Sequence, residues 1–154
     1  MILEVTLNGE AREIEISPSE TLMTLLRRLR LFSVKHGCET GDCGTCTVLL
    51  DGKPVNSCIL LAAQAHGHEI TTVEGIGTPR NLHPLQTAFL DTGAVQCGYC
   101  TPAMILVGYA LIREKGKALT EAEVRRALAG TLCRCTGYVK PVEAILQAAQ
   151  HSDS

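Results

Sequence analysis

The sequence holds eight cysteines, and all of them fall into two groups of four. Cys38, Cys43 and Cys46 follow the spacing C-x4-C-x2-C, and Cys58 comes after eleven intervening residues. Four thiolates gathered by a short glycine-rich loop are a ligand set for iron, and this spacing is the plant-type 2Fe–2S pattern. Gly37, Gly41 and Gly44 lie among these cysteines. They let the chain turn tightly and aim backbone N–H groups at negatively charged sulfur, as in an anion-binding nest. Such hydrogen bonds also tune a cluster's reduction potential. Zinc prefers C-x2-C pairs and fits a glycine-rich triplet poorly.

The second group is Cys97 and Cys100, as C-x2-C, with Cys133 and Cys135, as C-x-C. Spacing alone leaves zinc and a cluster open here. A helix start next to Cys100 suits thiolate ligation of either. The first group favours a second cluster, because paired redox centres move electrons and zinc is redox-silent. A bridge across Cys133-Arg134-Cys135 is geometrically awkward, and disulfides are rare in a reducing compartment. Other candidates are weaker. His66-Gly67-His68 sits in a polar connection and is read as solvated. Gly75-Ile76-Gly77 lacks the third glycine of a dinucleotide fingerprint. No nucleophile–base pair stands out, so no catalytic residue is assigned and the chain reads as an electron relay.

These cysteines need a scaffold. Leu3, Val5 and Leu7 alternate with polar residues, as do Ile14 and Ile16, and Asn8-Gly9 lies between them. That is a β-hairpin. Ser17, Pro18 and Ser19 break it, and Leu22, Leu25, Leu26 and Leu29 recur at helical spacing, with Arg27, Arg28 and Arg30 on the wet face. After the cysteine loop, residues 47–50 and 53–56 read as strands, 58–65 as a short helix and 69–73 as a last strand. The pattern is a small mixed sheet on one helix. Residues 75–79 are punctuation, and the boundary falls there, giving domains 1–75 and 76–154. The second half carries helical signals only. Pro84 opens one helix. Thr101 caps a second with Pro102 first inside it, running to Gly116. Thr120 to Glu123 is a capping box for a third that stops at Gly130. Pro141 opens a fourth. Cys97 and Cys100 precede the second of these helices, and Cys133 and Cys135 lie between the third and fourth. Residues 151–154 read as a solvated tail.

Bulk properties narrow the function classes. A chain of 154 residues makes one large or two small domains. Aromatic residues are only 3%, so two small cores of Leu, Ile, Val and Ala would each profit from a metal staple. A net charge of −2 without a Lys/Arg stripe gives no footprint for nucleic acid. The apolar run at 104–110 is too short to span a membrane, and no secretory leader is visible. Cytoplasmic location is the default expectation.

Residues 35–47 (KHGCETGDCGTCT), 82–86 (LHPLQ), 95–102 (VQCGYCTP) and 132–138 (LCRCTGY) together resemble the small iron–sulfur subunit of the molybdenum hydroxylases. That is the family of xanthine dehydrogenase, aldehyde oxidoreductase and carbon monoxide dehydrogenase. The resemblance spans nearly the whole chain, whose length is similar to a free-standing subunit. It implies an α+β fold: an N-terminal β-grasp, plant-type ferredoxin-like domain, then a C-terminal four-helix-bundle 2Fe–2S domain. It implies that Cys38, Cys43, Cys46 and Cys58 hold the cluster nearer FAD. Cys97, Cys100, Cys133 and Cys135 would hold the one nearer a molybdopterin-type molybdenum cofactor. Gln96 and Cys135 would lie against the pterin. The implied partners are a large molybdopterin-binding subunit and a medium FAD-binding subunit, in a heterotrimer or its dimer, with no nucleic acid and no membrane. Electrons from oxidative hydroxylation of a purine, aldehyde, carbon monoxide or heteroaromatic would pass from molybdenum through both clusters to FAD. The alternative is a free-standing, diffusible ferredoxin. Thr45 departs from the alanine common in this family and adds a hydroxyl beside the first site. Pro141 replaces a common aliphatic residue.

Overall fold

The computed structural model describes residues 1–151; residues 152–154 of the expected tail lie outside the described residues. The chain begins with strands β1 (Ile2–Leu7) and β2 (Glu10–Glu15), paired antiparallel. Asn8 and Gly9 both take positive φ, which suits a tight hairpin turn. Leu3, Val5 and Leu7 point inward, while Ile2 and Glu4 face water. Helix α1 (Leu22–Arg28) follows, capped by the Thr21 side chain, which accepts from the Thr24 N–H. Its Leu22, Met23, Leu25 and Leu26 are buried against the sheet. Each such side chain contributes roughly 1.5–3 kcal/mol.

Strands β3 (Thr47–Leu50), β4 (Lys53–Asn56) and β5 (Glu69–Thr71) complete a five-stranded mixed sheet in the order β2-β1-β5-β3-β4. β5 lies parallel to β1 and antiparallel to β3, so the last strand joins two hairpins. The helix expected at 58–65 is only a 3₁₀ turn at Ala62–Ala65. Its shortness has a cause: Leu61 bridges Thr21 and the Ala62 N–H donates to Glu20, so the preceding backbone is held extended. β5 is likewise shorter than expected, because Val73–Gly75 turns into a second 3₁₀ segment.

Four helices follow: α2 (Pro84–Asp91), α3 (Thr101–Lys115), α4 (Glu121–Leu128) and α5 (Val139–Gln150). Leu85, Phe89, Met104, Val124, Leu128 and Ile145 form their shared core, separate from that of the sheet. The Thr120–Glu123 capping box is present. Two starts differ from expectation. Cys100, not Thr101, occupies the cap of α3, and Thr101 and Pro102 both lie inside its first turn. α5 begins at Val139, ahead of Pro141, which sits in the first turn, where no N–H partner is needed. α4 ends at Leu128, short of Gly130. α3 also reaches back to the sheet: Val107, Ala110 and Leu111 share a cleft with Leu49 and Pro54.

Two candidate metal centres

The loop from α1 to β3 carries Cys38, Cys43 and Cys46. It is anchored at its entry by Arg27, whose Nη1 donates to the Val34 carbonyl at 2.7 Å, with Val34 buried. This arginine was expected on the wet face; instead it holds the loop. Farther on, Asn56 Nδ2 donates to the Gly41 carbonyl at 2.8 Å and Thr47 Oγ1 to that of Gly44 at 2.6 Å. Ser57 Oγ donates to the Cys46 carbonyl at 2.7 Å. The short return strand β4 therefore delivers Cys58 beneath the loop.

Backbone amides do converge on sulfur. The N–H groups of Thr40 and Cys43 donate to Cys38 Sγ at 3.5 and 3.4 Å. The Thr40 hydroxyl and these two amides pull the Cys38 thiol down to about 5, so it is a thiolate at neutral pH. Cys58 goes the other way. Burial, then the neighbouring Cys46 thiol, pushes it up to about 11. At neutral pH a buried thiol of this kind keeps its proton, and ligating a metal displaces it.

The second set is built at helix ends. Cys100 caps α3 and is buried, while Cys97, three residues earlier, is exposed. Cys133 and Cys135 lie in the connection from α4 to α5. Tyr138 shapes that connection with a left-handed backbone (φ 68). Its hydroxyl accepts from the Cys133 N–H at 2.9 Å and donates to the Thr131 carbonyl at 3.1 Å. Thr136 donates its N–H to Cys133 Sγ at 3.5 Å, and its hydroxyl lies 3.1 Å from the same sulfur. Burial would raise the Cys133 thiol, but the bonds from Thr136 outweigh it and bring it to about 7. Cys100 rises to about 12, through burial and then the Cys133 thiol. Cys135 also rises, mainly through Cys97.

Within each set the thiols act on one another. Cys38 meets Cys43 and Cys46 meets Cys58; Cys100 meets Cys133 and Cys97 meets Cys135. Among the described residues no group of three or more His, Cys, Asp or Glu side chains is found close together. Zinc draws four donors to one centre. A 2Fe–2S core is held by four thiolates, and the four thiols of each set supply that donor type and number. Gly37 completes the fit: a Cβ there would lie 2.7 Å from Cys43 Sγ. Gln96 is exposed, next to Cys97. His66 and His68 are exposed too, but each is bonded to the sheet region, to the Glu4 N–H and to Asp51.

Sequence reasoning missed the seam between the sites. The Leu132 N–H, one residue before Cys133, donates to the Cys43 carbonyl at 2.9 Å. Gly44 sits at φ 69, and a Cβ on it would come within 2.0 Å of the Gly130 carbonyl oxygen. Tyr99, between Cys97 and Cys100, reaches back to the His36 carbonyl at 2.6 Å. The phenol stood in plain view between two cysteines, but nothing local indicates its reach. Tyr99, Leu132 and Val139 are large, exposed and close to the second set.

Two iron–sulfur domains in tandem are the class that this fold and these sites define. Residues 5–71 match the 2Fe-2S iron-sulfur cluster binding domain, and residues 72–146 match the 2Fe-2S binding domain. The chain is 47% identical over 149 residues to the nicotinate dehydrogenase small FeS subunit of Eubacterium barkeri, covering 96% of this chain and 94% of that one. It is also 47% identical over 145 residues to the xanthine dehydrogenase iron-sulfur-binding subunit of Escherichia coli O157:H7, covering 94% and 91%. Among solved structures, quinoline 2-oxidoreductase from Pseudomonas putida 86 superposes with a TM-score of 0.92 at 39% identity, over 100% of this chain and 98% of that one. The chain belongs to the family of small iron–sulfur subunits of molybdenum hydroxylases, and it is part of an oxidoreductase. No helix among the described residues is long and apolar enough to cross a membrane.

Proposed function

We propose that this chain is the electron relay of a molybdenum hydroxylase complex. Its two sites take one 2Fe–2S cluster each, on Cys38, Cys43, Cys46 and Cys58 and on Cys97, Cys100, Cys133 and Cys135. When bound, the clusters supply one-electron storage between a molybdopterin cofactor in a large partner subunit and FAD in a medium one. The observation that carries this reading is the seam: the Leu132 N–H, beside Cys133, donates to the Cys43 carbonyl and ties the two four-thiol segments together. The exposed thiols of Cys97 and Cys135, with Gln96 beside them and Tyr99, Leu132 and Val139 around them, mark the outward end. An apolar rim of this kind suits docking on a partner. Gln96 and Cys135 would meet the pterin there.

In the same reading, residues 1–75 form a β-grasp ferredoxin-like domain and 76–154 a four-helix bundle. The chain works in the cytoplasm, in a heterotrimer or its dimer, on a substrate set by the large subunit. The test is elemental analysis of the complex purified from its native cells. The expected result is about four irons per chain, with molybdenum and FAD in equal amounts to each other. Iron without molybdenum or flavin would instead identify a diffusible ferredoxin, and zinc would overturn the assignment of both sites.

A further inference from the structure

One polar group at the first site has no role in holding the fold. Thr45 is buried at 5% exposure, and its Oγ1 lies 3.2 Å from Cys43 Sγ. Among the described residues that sulfur is the side-chain hydrogen-bond partner of the hydroxyl. The loop around it is already secured by other residues: Asn56, Thr47 and Ser57 bond the carbonyls of Gly41, Gly44 and Cys46. Gly37 backs the pair, and a Cβ there would stand 2.7 Å from both the sulfur and the hydroxyl oxygen. Backbone alone closes that side.

The direction of the bond follows from chemistry. A thiolate that ligates metal has no proton, so the hydroxyl must donate. A donor aimed at a ligand sulfur stabilises the more negative, reduced form of the centre more than the oxidised form. In a buried setting that preference is strengthened.

We propose that Thr45 is a positioning residue for electron flow: its hydroxyl donates to the Cys43 thiolate and raises the reduction potential of the first site alone. The inference rests on the two-cluster reading above. Raising the first site relative to the second makes the electron step from the second site to the first more downhill.

The test compares the parent complex with Thr45→Val and Thr45→Ser, following each site by EPR during a reductive titration, with the second site as internal reference. Thr45→Val keeps the shape and deletes the donor; Thr45→Ser keeps the donor. The expected result is a first site about tenfold harder to reduce in the valine variant, equivalent to about 59 mV for one electron. Serine stays near the parent, and the second site does not move. Equal potentials in parent and valine variant, with iron content intact, would overturn the role of Thr45 and leave the two-cluster reading standing. A parent complex without iron would overturn that reading instead. If the valine variant does not retain iron, Thr45→Ala against Thr45→Ser decides in the same way. The parent protein gives a further check: Fe–S(Cys) stretching bands that do not shift in D2O would exclude exchangeable donors on the sulfurs and sink the proposal.

Discussion

The two cysteine sites use opposite means to the same end. The first is wrapped by a continuous loop, aimed by backbone amides and glycines, and sealed from below by buried Cys46 and Cys58. The second is assembled from two helix connections separated by more than thirty residues of chain and leaves Cys97 and Cys135 exposed. Its shaping is done by side chains, above all Tyr138 and Thr136. A loop-built site carries its geometry in local spacing. A helix-built site carries it in packing, and so can present one edge outward while its other edge is buried at Cys100.

That contrast is open to attack at several points. The largest effect is expected where the sites touch. Gly44→Ala would place a Cβ against the Gly130 carbonyl and require left-handed backbone from alanine. We expect a loss of about 3 kcal/mol, seen as a lower Tm, and reduced iron at both sites. A variant with parental iron and stability would show that the seam is not needed.

Tyr138→Phe attacks the second site only. It deprives the Cys133 N–H of its acceptor and the Thr131 carbonyl of its donor. A cost of about 1–3 kcal/mol follows, with a changed EPR signal for the second site and an unchanged one for the first. Equal disturbance of both signals would blur the distinction between them.

The pH response follows from Cys58, raised to about 11, and Cys100, raised to about 12, both from 9.0. In the metal-free chain the unfolded form loses these protons first. The stability linked to them is therefore full below about pH 9 and declines as pH rises toward 11–12. Iron binding runs the other way: the thiols still protonated, Cys58 and Cys100 above all, must shed their protons, so reconstitution from iron and sulfide should improve from pH 7 to 9. Urea melts and reconstitution yields against pH would check both slopes. Thr136→Val should have the smallest effect. It removes one donor from Cys133 while the Thr136 amide remains, so the second potential should fall by less than about tenfold in equilibrium terms, as read by EPR titration.

Much of this was legible in the residues. The Asn8-Gly9 turn, the leucine period of α1 and the Thr120 capping box each act over a few residues, and each appears in the structure. The joining of Cys97 and Cys100 with Cys133 and Cys135 came from the count of cysteines and the family motifs, not from spacing. The start of α5 escaped because Tyr138 adopts a left-handed conformation that sequence gives to glycine first, and it is held there by contacts at the second site. The hold of Arg27 on Val34 and the reach of Tyr99 to His36 were hidden for the same reason: both depend on tertiary approach.

The bond between Leu132 and Cys43 has one more consequence. It joins main chain to main chain, one residue from a ligand of one site and at a ligand of the other. In the two-cluster reading the spacing of the centres is therefore set by backbone, whereas side chains such as Thr45 and Thr136 adjust the electrical level of each. Wiring length and voltage would then be separately adjustable, and substitutions at those threonines would retune the relay without moving its contacts apart.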